Sequence, residues 1–193
     1  MNDFAFYFDL GWKHIISTDA LDHQLFIATL ASIYLAANWK EVLILVTAFT
    51  IGHSLTLGLS TYNLIRFSDK WVEFLIPVTI LLTAVINFFR KNFHPSSYRL
   101  QYFLALFFGL IHGLGFANSI RFMLAGNQAI TIPLLGFNVG LEVGQLLVVA
   151  IILLLSFIFV NKLGVKRKWW VWSLSAISLT WSIFLCIRNL PWQ

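Results

Sequence analysis

Phe107-Phe108-Gly109-Leu110-Ile111-His112-Gly113-Leu114-Gly115-Phe116-Ala117 is an apolar stretch holding one ionisable side chain among three glycines. It continues an apolar segment that starts near Leu100, so it reads as a helix crossing the hydrocarbon core of a bilayer. A histidine inside such a helix is costly unless it faces a cavity, a metal or another polar group, which makes it a candidate functional residue. Gly109, Gly113 and Gly115 let a neighbouring helix or a ligand approach the backbone beside it. Two readings start level: a functional histidine, or a helix-packing seam with one hydrogen-bonded histidine. The placement of the other polar residues separates them.

Composition agrees with the membrane reading. Of 193 residues, 59% are hydrophobic, 17% aromatic and only 11% charged, and the mean hydropathy is +0.82. These values exclude an ordinary soluble domain and predict an all-α, polytopic membrane bundle forming a single domain over 1–193, with membrane lipid as its first partner. The net charge of +5 is carried in loops, so it reports topology and not a nucleic-acid partner. Cys186 is the lone cysteine, which rules out an intrachain disulfide or a thiolate cluster. Met1-Asn2-Asp3-Phe4 is acidic where a signal peptide would be basic, so a retained first segment is expected.

Polar punctuation divides the chain into six spans, about 22–39, 42–62, 71–89, 100–117, 134–160 and 169–187. Residues 4–16 mix aromatics with Asp9, Lys13 and His14 and predict an N-terminal interfacial helix ahead of them. Thr18 or Asp19 are the expected N-cap residues of the first span, and Pro77 is expected to kink the third. Eight Lys or Arg fall on the face with Lys40, Arg90, Lys91, Arg99, Lys162, Lys166, Arg167 and Lys168, against five on the other, with Lys13, Arg66, Lys70, Arg121 and Arg188. The positive-inside rule then makes the first face cytoplasmic and turns both termini outward.

Depth along the helices gathers the polar residues into one layer. At ~1.5 Å per residue, His53 stands ~17 Å and His112 ~18 Å above the inner ends of their spans, and Glu142 ~12 Å below the outer surface. Asp22 and His23 open the first span at that side. Asn138, Glu142 and Gln145 share one helix face, and Thr50 and Ser54 flank His53. Imidazoles and carboxylates crowded into a low-dielectric layer call for a compensating cation, and this donor set suits nickel, zinc, ferrous iron or copper(II). The expected metal ligands are therefore His14, Asp22, His23, His53, His112 and Glu142, supported by Asn138, Gln145, Thr50, Ser54 and Glu73. His94 lies in the basic inner loop and is excluded, while Arg121 reads as an interfacial anchor or a guard of the outer mouth.

Five motifs carry a resemblance: Gly11-Trp12-Lys13-His14-Ile15, Asp22-His23-Gln24-Leu25-Phe26, the run from Ala48 to Leu57 around Gly52-His53-Ser54, Phe108 to Ala117, and Phe137 to Gln145 around Asn138 and Glu142. With these motifs the chain resembles the HupE/UreJ family of bacterial membrane proteins over nearly its whole length. The resemblance implies nickel handling, a metal permease or accessory role, and metalloenzyme-maturation proteins as candidate partners. Residue by residue, it points to His14, Asp22, His23, His53, His112, Asn138 and Glu142. The gap from His14 to Asp22 is longer than the common pattern, and Ile15 stands where the hydrogenase-linked branch has proline; both departures bear on nickel more than on a metal site.

Three functions fit. A permease or delivery protein would capture a divalent ion in the outer half and pass it inward, although few polar residues besides Asn87 lie in the inner half. A zinc-dependent intramembrane hydrolase would hold its ion on three histidines and use Glu142 as general base. A sensor or assembly protein would keep a structural metal.

Overall fold

The computed structural model describes residues 3–90, 93, 98–123 and 130–192. His94 and the 126–128 loop lie outside the described residues, and so does the side chain of Arg121. Seven α-helices make up the described chain: α1 (Asp3–Ile16), α2 (Leu21–Ala31), α3 (Trp39–Thr61), α4 (Asp69–Phe89), α5 (Tyr98–Met123), α6 (Thr131–Ser156) and α7 (Arg167–Arg188). Among the described residues, α3 with its preceding turn, α4, α6 with the π-helical turns that extend it to Lys162, and α7 are long and apolar enough to cross a membrane. The apolar core of α5 is shorter, Gln101–Ala117. The all-α membrane bundle expected from the sequence is the observed architecture.

Two helix pairs meet backbone to backbone, and glycine is the reason. A Cβ added to Gly52, Gly109 or Gly113 would stand 2.2 Å from the carbonyl oxygen of Leu106, Phe49 or His53, so α3 and α5 run side by side in one direction at a spacing only glycine allows. Gly11 and Gly140 hold α1 to α6 in the same way, each with a Cβ position 2.0 Å from a carbonyl oxygen, of Phe137 and Phe8 respectively. The N-terminal helix is thus bound lengthwise to α6. Its other face is exposed and mixed, with Phe6 and Ile16 beside Lys13, whose Nζ donates to Asp9 Oδ2 at 2.6 Å.

A third group, α2, α4 and α7, is joined by polar side chains. Asn87 Nδ2 donates to the Thr29 carbonyl at 2.9 Å and to Ser175 Oγ at 3.2 Å, and Thr29 Oγ1 donates to Ser178 Oγ at 2.6 Å. Ser175, Ser178 and Ser182 are fully buried, small enough to let α7 lie close to its neighbours. Pro77 is buried inside α4 and has no N–H to give the Glu73 carbonyl. Asn189 Nδ2 fills that role at 3.2 Å, which fixes the end of α7 beside the start of α4.

The first span differs from expectation. Its helix, α2, ends at Ala31, and the chain turns through Ala36–Asn38 before α3. Neither Thr18 nor Asp19 caps α2, whose N-cap is Ala20 without a side-chain bond. Asp22 takes over, its Oδ1 accepting the His23 backbone N–H at 2.8 Å. Between α1 and α2 the backbone breaks at Ser17–Ala20, and Gln24 Nε2 satisfies the freed carbonyls of Ile15 (2.9 Å) and Ser17 (2.8 Å). Irregular backbone at this depth is tolerable only with such compensation.

Candidate metal centre

Each of the three helix groups contributes a histidine to one point. His14 comes from α1, His53 from α3 and His23 from the first turn of α2. One ring nitrogen from each lies within 4.8 Å of the other two, close to the ~4 Å that separates donors around a single ion. The rings of His14 and His23 stand 4.7 Å apart, and those of His14 and His53 6.1 Å apart. His53 is fully enclosed and His23 is 4% exposed.

Hydrogen bonding fixes the tautomer of His23 in a ligand-ready form. His23 Nδ1 donates to Asp22 Oδ1 at 3.0 Å, so the proton sits on Nδ1 and the buried Nε2 keeps its lone pair without a partner. A carboxylate behind an imidazole is the arrangement that orients metal-binding histidines and raises their basicity. His14 Nε2 and both ring nitrogens of His53 are likewise buried and unpartnered. Buried polar atoms are normally hydrogen-bonded, so these imidazole nitrogens call for a partner, which water or an ion can supply. Neutral imidazole nitrogens suit a borderline divalent transition metal, and the residues present therefore fit one.

His112 stands next to the triad, its ring 5.0 Å from that of His23. Its Nδ1 donates to the Phe108 carbonyl at 2.8 Å, leaving Nε2 buried and unpartnered. It has a ligand's tautomer but lies outside the three-residue group. Phe26, Phe49 and Phe108 are buried below it, with the Phe26 ring 5.2 Å from Phe49 and 5.7 Å from Phe108. Phe137 and Phe116, stacked at 4.8 Å, cover His14 on another side.

The remaining expected site residues are elsewhere. Asp22 is not in the group of converging atoms; it stands behind His23. Glu142 is turned to α3, where Thr47 Oγ1 donates to its Oε1 at 2.8 Å. One turn away, Thr50 Oγ1 donates to Gln145 Oε1 at 2.9 Å, so Thr50 and Gln145 clamp α3 to α6. The reason is axial: Asn138, on the same face of α6, lies by His53, whereas Glu142 meets α3 at Thr47, six residues or ~9 Å further down that helix. Asn138 lies next to His53 with Oδ1 unpartnered, and its Nδ2 donates to Leu134 O at 2.8 Å. Ser54 is half-buried, with no side-chain hydrogen bond to the imidazoles among the described residues. Glu73 lines a cavity at the start of α4 together with Asp22. Gln24 was missing from the expected set, although its place directly after Asp22-His23 was a signal, since a break needs a side chain able to donate to freed carbonyls.

The HupE / UreJ protein family model matches residues 1–188, essentially the entire chain. The chain belongs to the HupE/UreJ family. Neither a curated protein nor a solved structure matches it. Within this HupE/UreJ protein the triad draws on three of the motifs by which the family is recognised in the sequence, those around His14, His23 and His53.

Changing Asp22 tests the tautomer argument. Asp22→Asn keeps a hydrogen-bonding group behind His23 but removes the charge, and metal affinity is expected to fall ~10–100-fold, the usual effect of losing an outer carboxylate partner. Isothermal titration of the purified variant measures it. An unchanged affinity would mean that Asp22 does not orient a ligand.

Proposed function

We propose that this HupE/UreJ protein takes up a divalent transition metal, nickel or zinc by its donor set, as a permease or metal-delivery protein of the inner membrane. The observation that carries the reading is the convergence of His14, His23 and His53 with their lone pairs unpartnered. The ion is cargo, held by His14, His23 and His53, with Asp22 orienting His23 and His112 next in line. Lys40, Arg90, Lys162, Lys166, Arg167 and Lys168 gather at the end opposite Glu73, which supports a cytoplasmic Arg90 end and periplasmic termini. Delivery inward then requires a movement of the phenylalanines below the centre, because Phe26, Phe49 and Phe108 close it on that side. The link with nickel and with hydrogenase or urease maturation makes metallochaperones of those systems the natural recipients.

The same closed floor favours a second reading, an intramembrane zinc hydrolase whose ion has no onward route. Glu142 is not a general base in that reading, since it is bonded to Thr47 away from the triad; Asp22 is the nearest carboxylate.

Proteoliposomes separate the two. With purified protein in sealed vesicles, nickel or zinc is expected to accumulate inside at a rate proportional to protein and to be lost in His23→Ala. Metal bound at one ion per chain with no flux, together with turnover of an ester or amide lipid, would replace the transport reading by the hydrolase.

A further inference from the structure

We propose that the cavity between the first turn of α2, α4 and α7 is the entrance by which the cation reaches the histidine centre, and that Asp19 and Glu73 draw it in. The inference rests on the metal reading above and adds to it a route and the residues that set its rate. The cavity has a volume of about 410 Å³, and its polar lining comes from Thr18, Asp19, Asp22, Glu73, Arg188 and Asn189. That is room for several waters, enough for a hydrated ion. Thr18 and Asp19, within the break at Ser17–Ala20, form part of its wall.

Asp22 joins the cavity to the centre. Its carboxylate belongs to the cavity wall and also accepts from His23 Nδ1 at 3.0 Å, while His23 Nε2, on the far side of the same ring, is in the triad. The Asp22–His23 pair therefore links the cavity wall to the centre, and an ion that reaches Asp22 is one imidazole ring from the triad. Charge supports the direction of traffic. Three carboxylates face one guanidinium, that of Arg188, across a cleft with the low-dielectric wall of Ile76, Pro77 and Trp181. Such a cleft focuses the field and raises the local concentration of cations. Two other cavities, of about 390 and 540 Å³, carry no charged side chain and offer an ion no such path. The first lies against Leu75 and Phe107, the second against Leu25 and Ile177.

The experiment follows loading of Co²⁺ into the purified full-length protein by stopped-flow absorbance at low salt. Asp19→Asn with Glu73→Gln is expected to reach the wild-type end point at an association rate ~10-fold lower and with a flatter salt dependence. Arg188→Gln is expected to load faster. In a Cys186→Ser background, a bulky thiol reagent on Thr18→Cys should slow loading several-fold, whereas the same reagent on Leu82→Cys, in an apolar cavity, should not. Cobalt bound at unchanged rates in the acidic double variant, or blocked equally from both cysteines, overturns the entrance and leaves the histidine centre standing. Absence of cobalt binding in the wild type removes the centre, and the entrance with it.

Discussion

Replacing His53 with alanine is expected to abolish stoichiometric metal binding without lowering the stability of the metal-free protein in proportion to the side chain lost. His53 has no exposed surface, and neither of its ring nitrogens has a partner. An unsatisfied buried polar group costs ~1–3 kcal/mol, so removing it offsets much of the packing given up. Wild-type protein should gain ~2.7 kcal/mol of stability at a metal concentration 100-fold above Kd, by mass action, and the variant should gain nothing. Thermal unfolding in detergent with and without metal, alongside metal analysis, reads both quantities. Glu142→Gln is the contrast: Glu142 bonds to Thr47, away from the triad, so that variant should keep its metal. If His53→Ala instead unfolds the metal-free protein while the wild type takes up no ion, the histidines are packing groups and the centre does not exist.

The sequence showed the fold class because membrane helices are written in composition, and it showed His53 because an imidazole inside an apolar span has few uses and His23 because it opens a span beside Asp22 at the same level. His14 was legible through its motif alone, since residues 4–16 are too short and polar to read as part of a membrane core. What counting residues from the span ends could not supply was the axial register of α6 against α3. Glu142 and Gln145 lie near the level of the histidines by residue counting, yet their side chains bond to Thr47 and Thr50. Which face of α6 meets α1 is decided by Gly136, Gly140 and Gly144, each of which approaches α1. That glycine face draws α1 along α6 and brings His14 to the centre. The break before α2 was hidden for a different reason. Nothing in Ser17–Ala20 is a helix breaker, and the break is maintained by Gln24 from the following helix, a tertiary contact with no periodic trace.

The glycine seams carry the other large expected effect. Gly113→Ala would place a Cβ 2.2 Å from the His53 carbonyl oxygen and 2.3 Å from Thr56 Oγ1, and the nearer obstacle is backbone, which cannot rotate away. Overpacking of a core typically costs ~1–3 kcal/mol, and a backbone clash at a helix–helix contact belongs at or above the upper end. α3 must move off α5, and it takes His53 with it, so stability and metal binding should fall together. Gly58 supplies the internal control on the facing helix α3, since a Cβ there meets nothing closer than Leu134 Cδ1 at 4.0 Å. Gly58→Ala should be neutral or stabilising by ~0.5–1 kcal/mol, because alanine loses less entropy on entering a helix. Gly140→Ala, with a Cβ 2.0 Å from the Phe8 carbonyl oxygen, should resemble Gly113→Ala but act by displacing α1 and His14. Thermal unfolding and bound metal measured on the three variants decide the matter. Equal behaviour of Gly58→Ala and Gly113→Ala would show that α3 and α5 do not meet at backbone distance, and the position of His53 in the triad would lose its structural basis.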